Sequence, residues 1–155
     1  MNPNGIQRLG VFGGAFDPPH VAHVALVEAA IRQLQLAQVR VLPTGEAWHK
    51  QRPLSGAVHR LAMCQLAFQH LPQVVLDARE TQRTGPSYTV DTLLELKSEF
   101  VGAALFLIIG EDQAKALESW SRWSAIPELA TICVAARAGF TRANATFEAL
   151  HLSPT

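Results

Sequence analysis

Short apolar runs alternate along this chain with stretches in which apolar side chains recur at helical spacing. Leu9–Phe12 is the first run, closed by Gly13-Gly14, and it reads as a buried strand. From His20 to Leu36 the apolar positions Val24, Val27, Ile31 and Leu34 share one helical face. Val39–Leu42 reads as a second strand, closed by Pro43, with a polar loop after it. Val58, Leu61, Leu66 and Leu71 mark a second helix, and Val74–Leu76 a third strand. Val90, Leu93, Leu94, Leu96 and Phe100 mark a third helix, and Ala104–Ile109, ended by Gly110, a fourth strand. A helical stretch carrying Trp120 and Trp123 leads to a last strand, Thr131–Ala135, and the pattern is weak from Gly139 onward.

Strands that are apolar along their whole length and joined by helices imply a parallel sheet covered on both faces. The expected fold class is therefore α/β: a doubly wound parallel sheet, Rossmann-like, in one domain spanning residues 1–155. Ligands of such folds bind beyond the carboxyl ends of the strands. The loops after Phe12, Leu42, Leu76, Ile109 and Ala135 are thus where function is expected.

Composition narrows the class. Apolar residues make up 48% and charged residues 17%, which suits a packed globule and not a disordered chain. Lys plus Arg equals Asp plus Glu, 13 each, so no net field steers the chain onto nucleic acid or an anionic membrane. Cys64 and Cys133 have no metal or redox spacing and read as small buried hydrophobes. No apolar run approaches the ~18 residues of a membrane span. The N-terminus lacks the basic-then-apolar order of a secretory signal, and a soluble cytoplasmic protein is expected.

The candidate chemistry lies in Gly13-Gly14-Ala15-Phe16-Asp17-Pro18-Pro19-His20-Val21-Ala22-His23. Two glycines after a strand let backbone pass close to a bulky ligand. Pro18 and Pro19 pre-set φ for a helix entry near His20, whose free N–H groups form an anion site. His20 and His23, three residues apart, share the first turn and can reach one anion. The segment is not the GxGxxG dinucleotide fingerprint and lacks the Lys of a P-loop. Two plainer readings stand beside this one: a tight turn with capping histidines, and a zinc site of Asp17, His20 and His23. The second is disfavoured because no further ligand cluster stands nearby.

GGAFDPPHVAH resembles the GGxFDPxHxGH block of nucleotidyltransferases, with Ala22 where that family usually has Gly. His59-Arg60-Leu61-Ala62-Met63 resembles the HRLxM helix start of the same family. Pro86-Ser87-Tyr88-Thr89-Val90-Asp91-Thr92-Leu93 resembles the PSYTxDTL segment of the nicotinate-mononucleotide adenylyltransferases. Ile109-Gly110-Glu111-Asp112, followed by Trp120 and Trp123, resembles their IGxD…W block, and Arg137-Ala138-Gly139 their RPG. The first block names only the superfamily; the PSYTxDTL block points to the pyridine-nucleotide branch. Ser153-Pro154-Thr155 resembles the opening of the family's SxTxxR block, and the chain stops before its Arg. The expected fold therefore carries a truncated or absent C-terminal segment: the chain is either a fragment or a divergent, impaired enzyme, and a stop in mid-motif points toward a fragment.

The resemblance implies transfer of the adenylyl group of ATP to nicotinate mononucleotide. It implies that His20 and His23 bind the phosphates in transfer, and that the loop of Gly13, Gly14, Ala15 and Phe16 cradles them. Lys50, beside His49, adds a phosphate contact, Gly110 and Asp112 contact ATP with Asp112 on a ribose hydroxyl, and Arg137 contacts ATP as well. Tyr88 and Thr89 receive the nicotinate carboxylate, and Trp120 stacks on the ring. Mg²⁺ would enter with ATP, with no metal site built from protein groups alone. Each assignment has a plainer counterpart: a solvated loop at His49 and Lys50, a Ser87 N-cap, Trp120 in the core, Asp112 as a helix cap, Arg137 in solvent. The implied partners are ATP and nicotinate mononucleotide, with no nucleic acid or membrane and with room for a homo-oligomer. Two rival functions remain: a sister adenylyl- or cytidylyltransferase on the same scaffold, and a nucleotide-binding module without activity.

Overall fold

The computed structural model describes residues 2, 5–45, 56–83, 87–135 and 147–150. Strand β1 (Arg8–Gly14) leads to helix α1 (Val21–Leu34), β2 (Gln38–Pro43), α2 (Ala57–Phe68) and β3 (Val74–Leu76). The short helix α3 (Arg79–Gln82) precedes α4 (Thr89–Glu99), β4 (Ala104–Gly110) and α5 (Glu111–Ala116). Two 3₁₀ turns, Leu117–Ser119 and Trp123–Ala125, then lead to α6 (Ile126–Leu129), β5 (Thr131–Ala135) and β6 (Phe147–Leu150). The sheet order is β3-β2-β1-β4-β5-β6. All pairings are parallel except β5 with β6, which is antiparallel.

Alternate residues of each strand feed opposite cores, as the two-residue period of a strand requires. Leu9, Val11, Leu105, Leu107, Ile109, Ile132 and Val134 meet Val90, Leu93, Leu96 and Ile126 on one face. Phe12, Val39, Val41, Phe106, Ile108, Cys133 and Ala135 meet Leu26, Val27, Ala30, Cys64 and Phe68 on the other. Helices α1 and α2 cover one face, and α4, α6 and the turns beside them the other, which is the doubly wound arrangement. Both cysteines are free and buried.

Three expectations need correction. The chain past Gly139 was weakly patterned, yet Phe147–Leu150 adds an antiparallel edge strand to the otherwise parallel sheet. Helix α2 does not bury the face inferred from its apolar residues. Val58 and Leu66 are 78% and 68% exposed, whereas Arg60, Cys64 and Phe68, spaced four apart, point inward. A buried arginine disguised the stripe. The stretch around Trp120 and Trp123 is no continuous helix: it breaks at Arg122, which has φ 49°, the left-handed region that interrupts helical hydrogen bonding.

Charged groups fasten α3 and α4 to the sheet. Asp77, buried after β3, pairs with Arg40 at 3.1 Å and Arg79 at 2.9 Å. Arg79 also reaches Glu99 at 2.7 Å and Glu95 at 3.3 Å on α4. Burial pushes the Asp77 carboxyl up, but hydrogen bonds from Arg79 and the charges of Arg79 and Arg40 outweigh it and hold the group below its ordinary range.

Candidate active site

Strands β1 and β4 pair only from Arg8↔Ala104 to Val11↔Leu107. Beyond that point each runs three residues further, to Gly14 and Gly110, with β1 paired to β2 and β4 to β5. Strand order reverses between β1 and β4, so the sheet divides at the topological switch point, where open α/β sheets form their ligand crevice.

On the β1 side the glycine loop is packed from beneath. Phe16 is buried, has φ 50°, and packs edge-on to Phe12 at 5.4 Å and to His23 at 5.1 Å. A Cβ added to Gly14 would stand 3.2 Å from the Phe16 ring, so the second glycine is what lets the loop lie over that ring. The Asp17–Pro18 peptide is cis. Pro18 and Pro19 lie ahead of the N-cap His20 instead of within the helix, and α1 begins at Val21.

The two histidines come together. Their rings stack at 4.0 Å with 24° between planes. The His20 backbone N–H donates to His23 Nδ1 at 3.1 Å, and the carbonyl of His20 accepts from the amides of His23 and Val24. An Nδ1 that accepts a hydrogen bond carries no proton, so neutral His23 holds its proton on Nε2 and can donate from there. Burial, and next the charge of His20, pushes the His23 imidazole down to about 4. At neutral pH His23 is thus an uncharged donor of fixed tautomer. The first turn of α1 contains no acidic residue, which leaves its N-terminus open to an anion.

Beyond β4, Gly110 is the N-cap of α5, and its N–H donates to Gln113 Oε1 at 3.0 Å. Asp112 is the second residue of that helix, so it is not the cap. Tyr88, 43% exposed, is the N-cap of α4, which begins at Thr89. The Ser87 cap is not observed: its Oγ is buried with no hydrogen-bond partner among the described residues. Trp120 is partly buried against the α4-side core. Arg122, two residues on, forms an ion pair with Asp91 in the first turn of α4 and so ties the tryptophan segment to that helix.

The predicted residues thus fall into two groups on opposite faces of the sheet. Gly13, Gly14, Ala15, Phe16, His20 and His23 form the first, on the α1–α2 side. Tyr88, Thr89 and Trp120 belong to the second, on the α4 side, and Gly110 and Asp112 stand at the switch point between them. Lys50, with His49, and Arg137 lie outside the described residues. Among the described residues no three His, Cys, Asp or Glu groups gather as a metal site, and no helix is long and apolar enough to cross a membrane.

Three features carried no role in the sequence reading: the buried Arg60, the turn at Thr44-Gly45 that it holds, and the Asp91–Arg122 pair. Arg60 stood within a quoted motif, and the available signal was a charge at helical spacing with Cys64 and Phe68.

The double-glycine loop and the stacked histidine pair lie at the carboxyl end of β1, beside the point where the sheet divides. Residues 11–152 match the cytidylyltransferase-like family, so the chain belongs to the nucleotidyltransferases. Within that family the chain belongs to the nicotinate-nucleotide adenylyltransferases. It is 64% identical over 143 residues to a probable nicotinate-nucleotide adenylyltransferase of Albidiferax ferrireducens, covering 92% of this chain and 72% of that one. Relatives of the same name from Methylibium petroleiphilum and Chromobacterium violaceum are 41% and 44% identical, with 90% and 86% of this chain covered. The chain spans 66% and 64% of those two. Among solved structures, Plasmodium falciparum nicotinic acid mononucleotide adenylyltransferase complexed with NaAD superposes with a TM-score of 0.75 at 18% identity, covering 87% of this chain and 67% of that one. That likeness speaks for the fold.

Proposed function

We propose that this protein transfers the adenylyl group of ATP to nicotinate mononucleotide, giving nicotinate adenine dinucleotide and pyrophosphate. The observation that carries the reading is the stacked His20–His23 pair that follows the double-glycine loop at the carboxyl end of β1, where β1 and β4 have stopped pairing. The relatives' names supply the acceptor.

In the proposed reaction an acceptor phosphate oxygen attacks the α-phosphorus of ATP, the new P–O bond forms, and the bond to pyrophosphate breaks. The nucleophile is already an anion, so no side chain has to remove a proton. Catalysis is then positioning and stabilisation of developing charge. His23 would donate its Nε2–H to the phosphates in transfer, with stacked His20 beside it. The amides of the Gly13–Phe16 loop and the N-terminus of α1 would hold the triphosphate. Lys50 and Arg137 add positive charge to the same task, and Asp112 beside Gly110 takes a ribose hydroxyl. Thr89 and the other first-turn amides of α4 would receive the nicotinate carboxylate, with Tyr88 at that entry, and Trp120 would stack on the ring.

Magnesium fits as a partner of ATP. Magnesium takes oxygen donors and keeps several waters, so it would enter with ATP. When bound, it would neutralise phosphate charge. Neutral net charge and soluble substrates suit a cytoplasmic enzyme with no nucleic-acid partner.

The test is product formation from ATP with nicotinate mononucleotide, nicotinamide mononucleotide and phosphopantetheine in parallel, resolved by chromatography. The reading predicts a dinucleotide and pyrophosphate in equal amounts, fastest with nicotinate mononucleotide. Turnover of phosphopantetheine alone would favour a sister enzyme.

A further inference from the structure

The interior of the α1–α2 face holds a cation, and it grips backbone. Arg60 is 2% exposed and lies on the inner stripe of α2 with Cys64 and Phe68. Its guanidinium donates to the carbonyl oxygens of Thr44 at 2.6 Å, Ala15 at 3.1 Å and Gly45 at 3.4 Å. Ala15 belongs to the glycine loop after β1, and Thr44 and Gly45 to the turn after β2. One side chain therefore spans the two loops that flank the carboxyl ends of neighbouring strands.

The direction of those carbonyls fixes the direction of the neighbouring amides. In a planar trans peptide, C=O and N–H point opposite ways. With the Ala15 carbonyl turned inward to Arg60, the Phe16 N–H faces outward. The Thr44 carbonyl does the same for the Gly45 N–H. The Gly14 carbonyl accepts from the Thr44 amide at 2.9 Å, which turns the Ala15 N–H away from β2. Ala15 and Phe16 amides have no carbonyl partner among the described residues. The turn is held from its other side as well, since a Cβ on Gly45 would fall 2.3 Å from the Glu80 carbonyl oxygen.

We infer that Arg60 is a positioning residue that presents the amides of Ala15, Phe16 and Gly45 as one preorganised set of donors for nucleotide phosphates. It touches no substrate and acts through the backbone. The inference rests on the reading that the glycine loop receives ATP phosphates. Its distinct content is that phosphate affinity depends on a buried arginine behind the loop. Backbone N–H groups turned away from their own carbonyl partners are the donors from which anion sites of the nest type are built.

The test compares ATP with adenosine, which lacks phosphates, by calorimetry on the full chain. Arg60→Lys keeps the charge but cannot reach several carbonyls with a fixed fork, and Arg60→Gln keeps a donor without the charge. Each variant is expected to raise the Kd for ATP about tenfold, the scale of one lost well-made hydrogen bond, while the Kd for adenosine stays within about twofold of wild type. Equal weakening for both ligands would mark Arg60 as a purely structural residue and overturn the inference, as would no change for either. The wild-type chain gives a second measurement independent of variant folding. Its Arg60 side-chain N–H resonances should shift on adding ATP and stay in place on adding adenosine; no shift with ATP overturns the inference. Wild-type protein that binds ATP no more tightly than adenosine would instead remove the phosphate reading of the loop, and this inference with it.

Discussion

At the scale of single residues, the site is shaped by what small groups are denied. His23 is denied its charge. Its Nδ1 is taken by the His20 amide, and burial together with the neighbouring imidazole pushes it down to about 4. A histidine titration followed by NMR should therefore show one imidazole still neutral at pH 5.5; an ordinary midpoint for His23 would contradict this. The same depression makes stability depend on pH. Between about 4 and the ordinary 6.5 the unfolded chain binds the proton and the native chain does not. This contribution is full above 6.5 and lost as pH falls toward 4, and His23→Gln should flatten the denaturation midpoint across that window. In the proposed reaction His20→Ala or His23→Ala should lower kcat roughly 10²–10³-fold with the fold retained; wild-type turnover would refute the role. Glycines offer a paired contrast. Gly45→Ala must displace the Glu80 carbonyl, at a cost of about 1–3 kcal/mol in urea denaturation. Gly110→Ala meets nothing within 4 Å, so only the poorer N-cap preference of alanine counts against it and the cost should be about 1 kcal/mol or less.

At the scale of elements, charge pairing decides which helices stay put. Arg79 joins buried Asp77 to Glu95 and Glu99 on α4. Arg79→Met should destabilise the protein by about 1–3 kcal/mol, less than a fully buried pair because the Glu partners are exposed; an unchanged denaturation midpoint would count against the network. The start of α4 carries the proposed choice of acceptor. First-turn N–H groups welcome a carboxylate and leave an amide NH₂ unmatched, worth about 1–3 kcal/mol, or roughly tenfold to a hundredfold in kcat/KM for acid over amide. That ratio should survive Trp120→Phe while affinity falls. Equal kcat/KM values for the two acceptors would mean that α4 does not read the carboxylate. The sequence showed these elements unevenly. Strands Leu9–Phe12, Ala104–Ile109 and Thr131–Ala135 were legible because both faces are buried past their first residues and the runs are almost wholly apolar. The inner face of α2 was not, because a hydrogen-bonded guanidinium replaces an apolar side chain at one of its three buried positions. Strand β6 escaped because an edge strand needs no such run. The histidine loop was legible from its spacing, whereas the Arg60 grip exists only between segments distant in sequence.

At the scale of the whole molecule, the doubly wound sheet keeps two groups of residues on opposite faces, and β1 and β4 between them stop pairing after Val11 and Leu107. The loop with its histidines comes from one face, and the α4 entry with the Trp120 segment from the other. On this account ATP lies against the first and the nicotinate ring against the second, with the phosphates crossing the switch point. A structure of the protein with its bound dinucleotide product tests this most directly. The account predicts phosphate oxygens within hydrogen-bond reach of His23 Nε2 and the loop amides of Ala15 and Phe16, with the nicotinate carboxylate at the first turn of α4. Phosphates more than a side-chain length from both histidines would contradict it.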